Sequence, residues 1–93
     1  MKRALLRTPT FTRAVKAYVK RHPDLVNALN EVLRALADDA HAPALRTHKL
    51  KGRLSDRWAC SVEYDVRIIF RFIQHEGGEA ILLLSLGTHD EVY

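Results

Sequence analysis

The hydrophobic positions of the first forty residues repeat with the period of a helix. One stripe, spaced by three and four residues, consists of Phe11, Ala14, Val15, Tyr18 and Val19. A second stripe consists of Leu25, Ala28, Leu29, Val32, Leu33 and Leu36. This spacing predicts two amphipathic helices, the first with Thr8 as N-cap and Pro9 at its first position. Pro23 disfavours helix at His22, so the connection between the helices is predicted to be short.

From residue 58 onward the period changes to two. Trp58, Cys60, Val62 and Tyr64 alternate with Ala59, Ser61 and Glu63, which predicts a strand. The segments VRIIFRFI and AILLLSL predict two more strands, joined by the glycine-rich turn HEGGE. RALLR near the N-terminus predicts a short opening strand, and the polar segment 38–57 predicts a loop. The sequence therefore predicts one α+β domain over residues 1–93, of order β-α-α-β-β-β, with a helical hairpin packed on a mostly antiparallel sheet.

The composition narrows the class of protein. The single cysteine excludes an internal disulfide, and no hydrophobic run is long enough to span a membrane. The apolar part of the basic N-terminus is too short for a signal peptide, so we expect a cytoplasmic protein without a membrane partner. Fifteen Lys and Arg against eleven Asp and Glu give a net charge of +4. The bases cluster in residues 2–21 and 46–57, which favours a polyanionic partner, either nucleic acid or an acidic protein.

Candidate chemical groups lie near the ends of the predicted strands. No two of the five histidines have the spacing of a local metal motif, so we expect neither a metal nor another cofactor. Cys60 shares a strand face with Trp58, which favours a core thiol over a nucleophile. A base, a cation and an acid suffice to cleave an RNA phosphodiester without metal. The candidates are His48, Ser61, Glu63, Asp65, Arg67, Arg71, His89 and Tyr93. Spacing alone does not bring them together, so a nuclease is one possibility among several.

A longer pattern adds a family resemblance. Residues 50–93 contain L-K-G-x-L, a tryptophan, D-x-R-I-I-F and L-L-x-x-G-T-H-x-x-x-Y, which resembles the RelE/ParE superfamily of bacterial type II toxins. The ending Gly-Thr-His plus an aromatic residue is similar to the YafQ-type branch, and the predicted helical hairpin agrees with it. The resemblance implies a RelE-like fold and a ribosome-dependent mRNA interferase, in which the 2′-hydroxyl attacks its own 3′-phosphate in the decoding site. It also implies a cognate antitoxin.

The resemblance implies a role for each candidate residue. His48 and His89 would transfer protons, Asp65 would assist, and Tyr93 would stack on a base. Phosphate would be bound by Arg46, Lys49, Lys51, Arg53, Arg67 and Arg71. YafQ-type toxins have a histidine where this chain has Ser61 and an aromatic residue where it has Val66, so Ser61 and the nearby Glu63 are expected only to assist. The glycine of Gly-Thr-His is expected to let the backbone turn.

Two other interpretations stay open. ParE-like members of the superfamily inhibit DNA gyrase and cleave no RNA, and such a protein has no need of a terminal histidine and tyrosine. Alternatively, the chain is a weakly active relic that acts mainly by binding its antitoxin, because Ser61 replaces a histidine. An interferase fragments mRNA, a gyrase inhibitor causes DNA damage, and a relic does neither.

Overall fold

The structure is a computed structural model that describes residues 2–63 and 65–92. Tyr64, predicted to end a strand, and the predicted site residue Tyr93 lie outside these residues. The strands are β1 (Ala4–Arg7), β2 (His48–Lys49), β3 (Trp58–Glu63), β4 (Val66–His75) and β5 (Gly78–Thr88). They form one sheet in the order β1-β5-β4-β3-β2, in which β1 is parallel to β5 and the other neighbours are antiparallel. The predicted α+β class and mostly antiparallel sheet are confirmed.

Two long helices pack on one face of this sheet. Helix α1 (Pro9–Arg21) begins as predicted, since the Oγ1 atom of Thr8 accepts a hydrogen bond from the Phe11 N–H at 3.2 Å. Helix α2 (Leu25–Asp38) follows after a short turn. The helical contribution to the core is Phe11, Tyr18, Leu25, Leu29, Leu33 and Leu36. The strand contribution is Cys60, Ile68, Phe70, Ile81, Leu83 and Leu86. The predicted helical stripes are therefore confirmed as core positions, except for Val19 and Ala28, which are only half-buried and lie outside the core cluster.

The other face of the sheet, which we call the polar face, carries the residues that alternate with the core. On β4 these include Arg67, Ile69 and Arg71, as the period of two predicts. Ile69 and its β3 neighbour Ala59 are fully buried although they lie outside the main core. In the described part of the chain, no helix is long and apolar enough to cross a membrane.

Two segments differ from the prediction. Segment 38–57, predicted to be a loop, contains two 3₁₀ turns, Pro43–Leu45 and Gly52–Leu54, and the two-residue strand β2. Leu45 is buried in the core and β2 pairs with β3, but a strand of two residues has no period that a sequence pattern can reveal. The end of the chain, predicted to be the rim of a strand, forms the one-turn helix α3 (His89–Val92).

Candidate active site

The register of the sheet brings two predicted site residues side by side on the polar face. Ser61 on β3 is paired with Arg67 on β4, which is paired in turn with Gly87 on β5. Directly paired residues point to the same face with Cβ atoms about 5 Å apart. Ser61 and Arg67 therefore lie in one row across the sheet, which we call the Ser61–Arg67 row.

His48 lies in the next row along the sheet. It is paired with Ala59, which is paired with Ile69, two residues beyond Arg67 on β4. The Nδ1 atom of His48 lies 3.0 Å from the carbonyl oxygen of Arg46. Because a carbonyl oxygen can only accept a hydrogen bond, Nδ1 carries the hydrogen, and the neutral ring has its lone pair on Nε2. This tautomer suits a proton acceptor.

Arg46 connects His48 to a groove at the edge of β3. Its backbone is left-handed (φ 52°), which is uncommon for a residue with a side chain, and its N–H donates to the Pro43 carbonyl at 3.2 Å. The groove has a volume of about 630 Å³, and its polar lining includes Arg46, Ser61, Glu63 and Arg67. Its apolar lining is Val32, Ala35, Ala44, Leu45 and Val62. Four of the predicted site residues thus share one concave surface.

Asp65 and His89 lie on the opposite side of the Ser61–Arg67 row from His48. Asp65 is exposed in the turn between β3 and β4. The last pair of the β4–β5 register joins Val66 to Thr88, so Asp65 directly precedes the paired part of β4, and His89, the first residue of α3, directly follows the paired part of β5. The His89 side chain is 62% exposed, and its Nδ1 atom lies 3.7 Å from the Asp90 carboxylate. Along the sheet, Arg67 therefore lies between the row that contains His48 and the end of β5, where His89 begins α3.

The side chains of Tyr18 and Glu91, neither of which was predicted to belong to the site, hold helix α3 in place. The Oε1 atom of Glu91 accepts hydrogen bonds from the Thr88 N–H at 2.9 Å and from the Tyr18 hydroxyl at 2.6 Å. These two donors, Thr88 first, lower the pKa of the Glu91 carboxyl, and the bond to Glu91, together with burial, raises the pKa of Tyr18. The T-x-x-E pattern of residues 88–91 is the signal that could have identified Glu91 as a capping residue.

Gly87 supports the same turn by leaving space. Its φ lies outside the left-handed region, so the predicted role in letting the backbone turn depends on the missing side chain and not on a positive φ. A Cβ atom at this position would lie 3.1 Å from both the Cβ atom of Glu91 and the Cγ1 atom of Val92. A side chain at this position would therefore press on α3, which folds closely onto the end of β5.

The other predicted phosphate-binding residues are spread along the surface. The Arg71 Nε atom lies 3.5 Å from the Asp56 carboxylate, so this guanidinium already has an acidic neighbour. Three further bases are exposed on the segment before β3: Lys49, Lys51 and Arg53. They flank the groove in sequence without being part of its lining.

Thiol chemistry is excluded by the surroundings of Cys60. Its side chain is fully buried, and burial raises the pKa of its thiol to about 12. It is a neutral core thiol, as predicted. Within residues 2–63 and 65–92, no three His, Cys, Asp or Glu side chains are grouped so that they could hold a metal ion.

Comparison with known proteins assigns the family. Residues 3–93 match the family model described as "Bacterial toxin of type II toxin-antitoxin system, YafQ". The chain belongs to the YafQ family of type II toxins. The resemblance seen in the sequence is thereby confirmed. No significant match was found among curated protein sequences.

Solved structures of YafQ toxins have the same fold. YafQ from E. coli strain BL21(DE3) superposes with a TM-score of 0.81 at 20% identity, over 99% of each chain. The E. coli DinJ–YafQ toxin–antitoxin complex gives 0.79 at 21% identity, over 100% of this chain and 99% of that one. A metal-bound toxin from Helicobacter pylori gives 0.78 at 28% identity over all of both chains. The predicted RelE-like fold is confirmed.

Proposed function

We propose that this YafQ-family toxin is an mRNA interferase that cleaves mRNA on the ribosome without a metal. The observation that supports the proposal is that, along the sheet, Arg67 lies between the row that contains His48 and the end of β5, where His89 begins α3. His48 lies one row away on one side, and His89 lies beyond the end of β5 on the other. A cation between a proton acceptor and a proton donor is the arrangement that in-line cleavage of a phosphodiester needs.

His48 is the proton acceptor in this proposal. Its lone pair lies on Nε2 because Nδ1–H donates to the Arg46 carbonyl. Nε2 removes the proton of the 2′-hydroxyl, and the 2′-oxygen attacks the adjacent phosphorus. Arg67 binds the phosphate oxygens, whose negative charge increases in the transition state. Ser61, its neighbour in the row, donates a further hydrogen bond to the same phosphate.

His89 is the proton donor. Its imidazolium gives a proton to the 5′-oxygen as the bond between phosphorus and that oxygen breaks, which leaves a 2′,3′-cyclic phosphate and a 5′-hydroxyl. Asp65, exposed in the turn before β4, is proposed to orient or assist this step, as the family resemblance implies. Tyr93 is proposed to stack on a base, on the strength of the family resemblance alone. Backbone phosphates outside the cleavage position would contact Arg46, Lys49, Lys51, Arg53 and Arg71.

Replacing either imidazole tests this assignment. His48→Gln and His89→Gln should each slow single-turnover cleavage of mRNA on programmed ribosomes by about 10²–10⁴-fold, because glutamine cannot transfer a proton at neutral pH. His75→Gln is the matched control, since His75 is exposed at the far end of β4 and should leave the rate unchanged. Full-rate cleavage by a folded His89→Gln protein would contradict the proposed mechanism.

A cognate antitoxin is the second proposed partner. The E. coli toxin of this family is known in a complex with DinJ, and the positive surface of this chain would suit acidic antitoxin segments that cover the active surface. Induction in a bacterial host separates the alternatives. An interferase fragments mRNA, a gyrase inhibitor triggers the DNA-damage response, and a catalytically weak relic does neither.

A further inference from the structure

A carboxylate oxygen of Glu91 links helix α3 to helix α1. The Oε1 atom of Glu91 accepts from the Thr88 N–H at 2.9 Å, which closes the first turn of α3, and from the Tyr18 hydroxyl at 2.6 Å. Tyr18 lies 73 positions away in sequence, on α1. Its ring is only 9% exposed and belongs to the core. The hydroxyl is therefore presented from a position that cannot shift without disturbing the core.

The geometry around Glu91 leaves α3 little freedom. A helix of one turn is not stable by itself, so α3 depends on its tertiary contacts. Here α3 also lies against Gly87, close enough that a Cβ atom there would approach Glu91 and Val92 to 3.1 Å. His89 is thus held between Thr88, the last residue of β5, and Glu91, which is bonded to α1.

We propose that Tyr18 and Glu91 are positioning residues that fix the His89 imidazole relative to the Ser61–Arg67 row. The inference rests on the proposed function, in which His89 donates a proton to the leaving oxygen. Proton transfer requires heavy atoms about 2.6–3.2 Å apart, and a displacement of about 1 Å reduces a rate on the order of 100-fold. The hydrogen bond between Tyr18 and Glu91 can therefore affect the cleavage rate without touching the substrate, because it determines the position of His89.

Removing one hydroxyl tests the inference. Tyr18→Phe keeps the core ring and should lower kcat for cleavage on programmed ribosomes on the order of 10- to 100-fold, while KM is unchanged because ribosome contacts are intact. The amide hydrogen of Thr88 should exchange faster, since its acceptor becomes mobile. Glu91→Ala should act in the same way, and Glu91→Gln, which keeps an acceptor oxygen, should restore part of the rate. Glu76→Gln, at the exposed turn between β4 and β5, is the control.

A double-mutant cycle separates positioning from other effects. In a His89→Gln background, Tyr18→Phe should cause no further loss, because the residue it positions is already inactive. Full kcat in the Tyr18→Phe protein, or an equal loss in both backgrounds, would overturn the inference. Full kcat in the His89→Gln single variant would instead overturn the proposed function. In that case His89 would have no proton-transfer role that Tyr18 and Glu91 could support. Thr88 amide exchange still reports whether the Tyr18–Glu91 contact holds α3.

Discussion

Gly78 and Gly87 both lie on β5, but only Gly87 is closely surrounded by other residues. A Cβ atom at Gly87 would lie 3.1 Å from atoms of Glu91 and Val92, whereas a Cβ atom at Gly78 would meet nothing within 4 Å. Neither residue has a left-handed backbone, so only space distinguishes them. The contrast makes Gly87 a sensitive probe of the contact between β5 and α3.

Gly87→Ala is expected to push α3 away from β5. Overpacking of this kind costs about 1–3 kcal/mol of unfolding free energy, and the displaced His89 should cleave mRNA at a strongly reduced rate. Gly78→Ala should keep full activity and near wild-type stability. Thermal unfolding and ribosome-dependent cleavage measure the two effects. A fully active Gly87→Ala protein would show that α3 need not lie close to β5.

Among the elements, the β4–β5 hairpin forms the centre of the fold. Its two-residue turn has positive φ at both Glu76 and Gly77 (50° and 80°), as in a type I′ hairpin. Phe70 on β4 and Leu83 on β5 are paired, and both are fully buried, as the alternation predicts. The rings of Phe70 and Phe72 also meet edge to face, with centroids 5.5 Å apart. The same hairpin therefore carries Arg67 and Arg71 on the polar face and Phe70 and Leu83 in the core beneath the helices.

Phe70→Ala should remove about 3–5 kcal/mol of unfolding free energy, because it deletes a buried ring and leaves a cavity. That is a large part of the stability of a domain this small. Val26→Ala is the control, since Val26 is exposed on α2 and its truncation should change stability little. Chemical denaturation measures both. A Phe70→Ala midpoint close to that of the unaltered protein would mean that the strand faces are assigned wrongly.

Across the whole molecule, positive charge is concentrated in two regions. Seven bases and no acid lie in residues 2–21. The second region is the segment before β3, where Lys49, Lys51 and Arg53 are exposed. Because this second region adjoins the groove and His48, it is the one expected to contact RNA or ribosomal phosphates.

Replacing Lys49, Lys51 and Arg53 together with glutamine should weaken ribosome binding and make it less salt-dependent. If each base contacts one phosphate, the slope of log affinity against log salt falls by about 2. The fold should survive, because exposed charges contribute little to stability. A triple replacement of Arg13, Lys16 and Lys20 on α1 removes the same charge and should have a smaller effect. Equal salt slopes for the two triple variants would exclude a specific role for the segment before β3.

Much of the fold follows from local patterns. The two helical stripes and the alternation in β3 and β4 each determine which side chains face the core, because hydrophobic burial acts on every element in the same way. Thr8 and Pro9 likewise mark the start of α1, since capping depends on neighbours within a few residues. The family resemblance and the identity of the histidines, Arg67 and Asp65 as candidate residues were likewise available from the sequence.

Contacts between distant residues were decided only by the tertiary structure. The sequence does not predict β2, because two residues have no period and the strand exists only through its pairing with β3. It does not predict that Arg67 lies between the row of His48 and the end of β5, where His89 begins α3, because this depends on the register of four strands. Nor does it predict that Tyr18, a core position by its spacing, bonds to Glu91 across 73 residues. Local propensity reports on neighbours in the chain, whereas a site is made by neighbours in space.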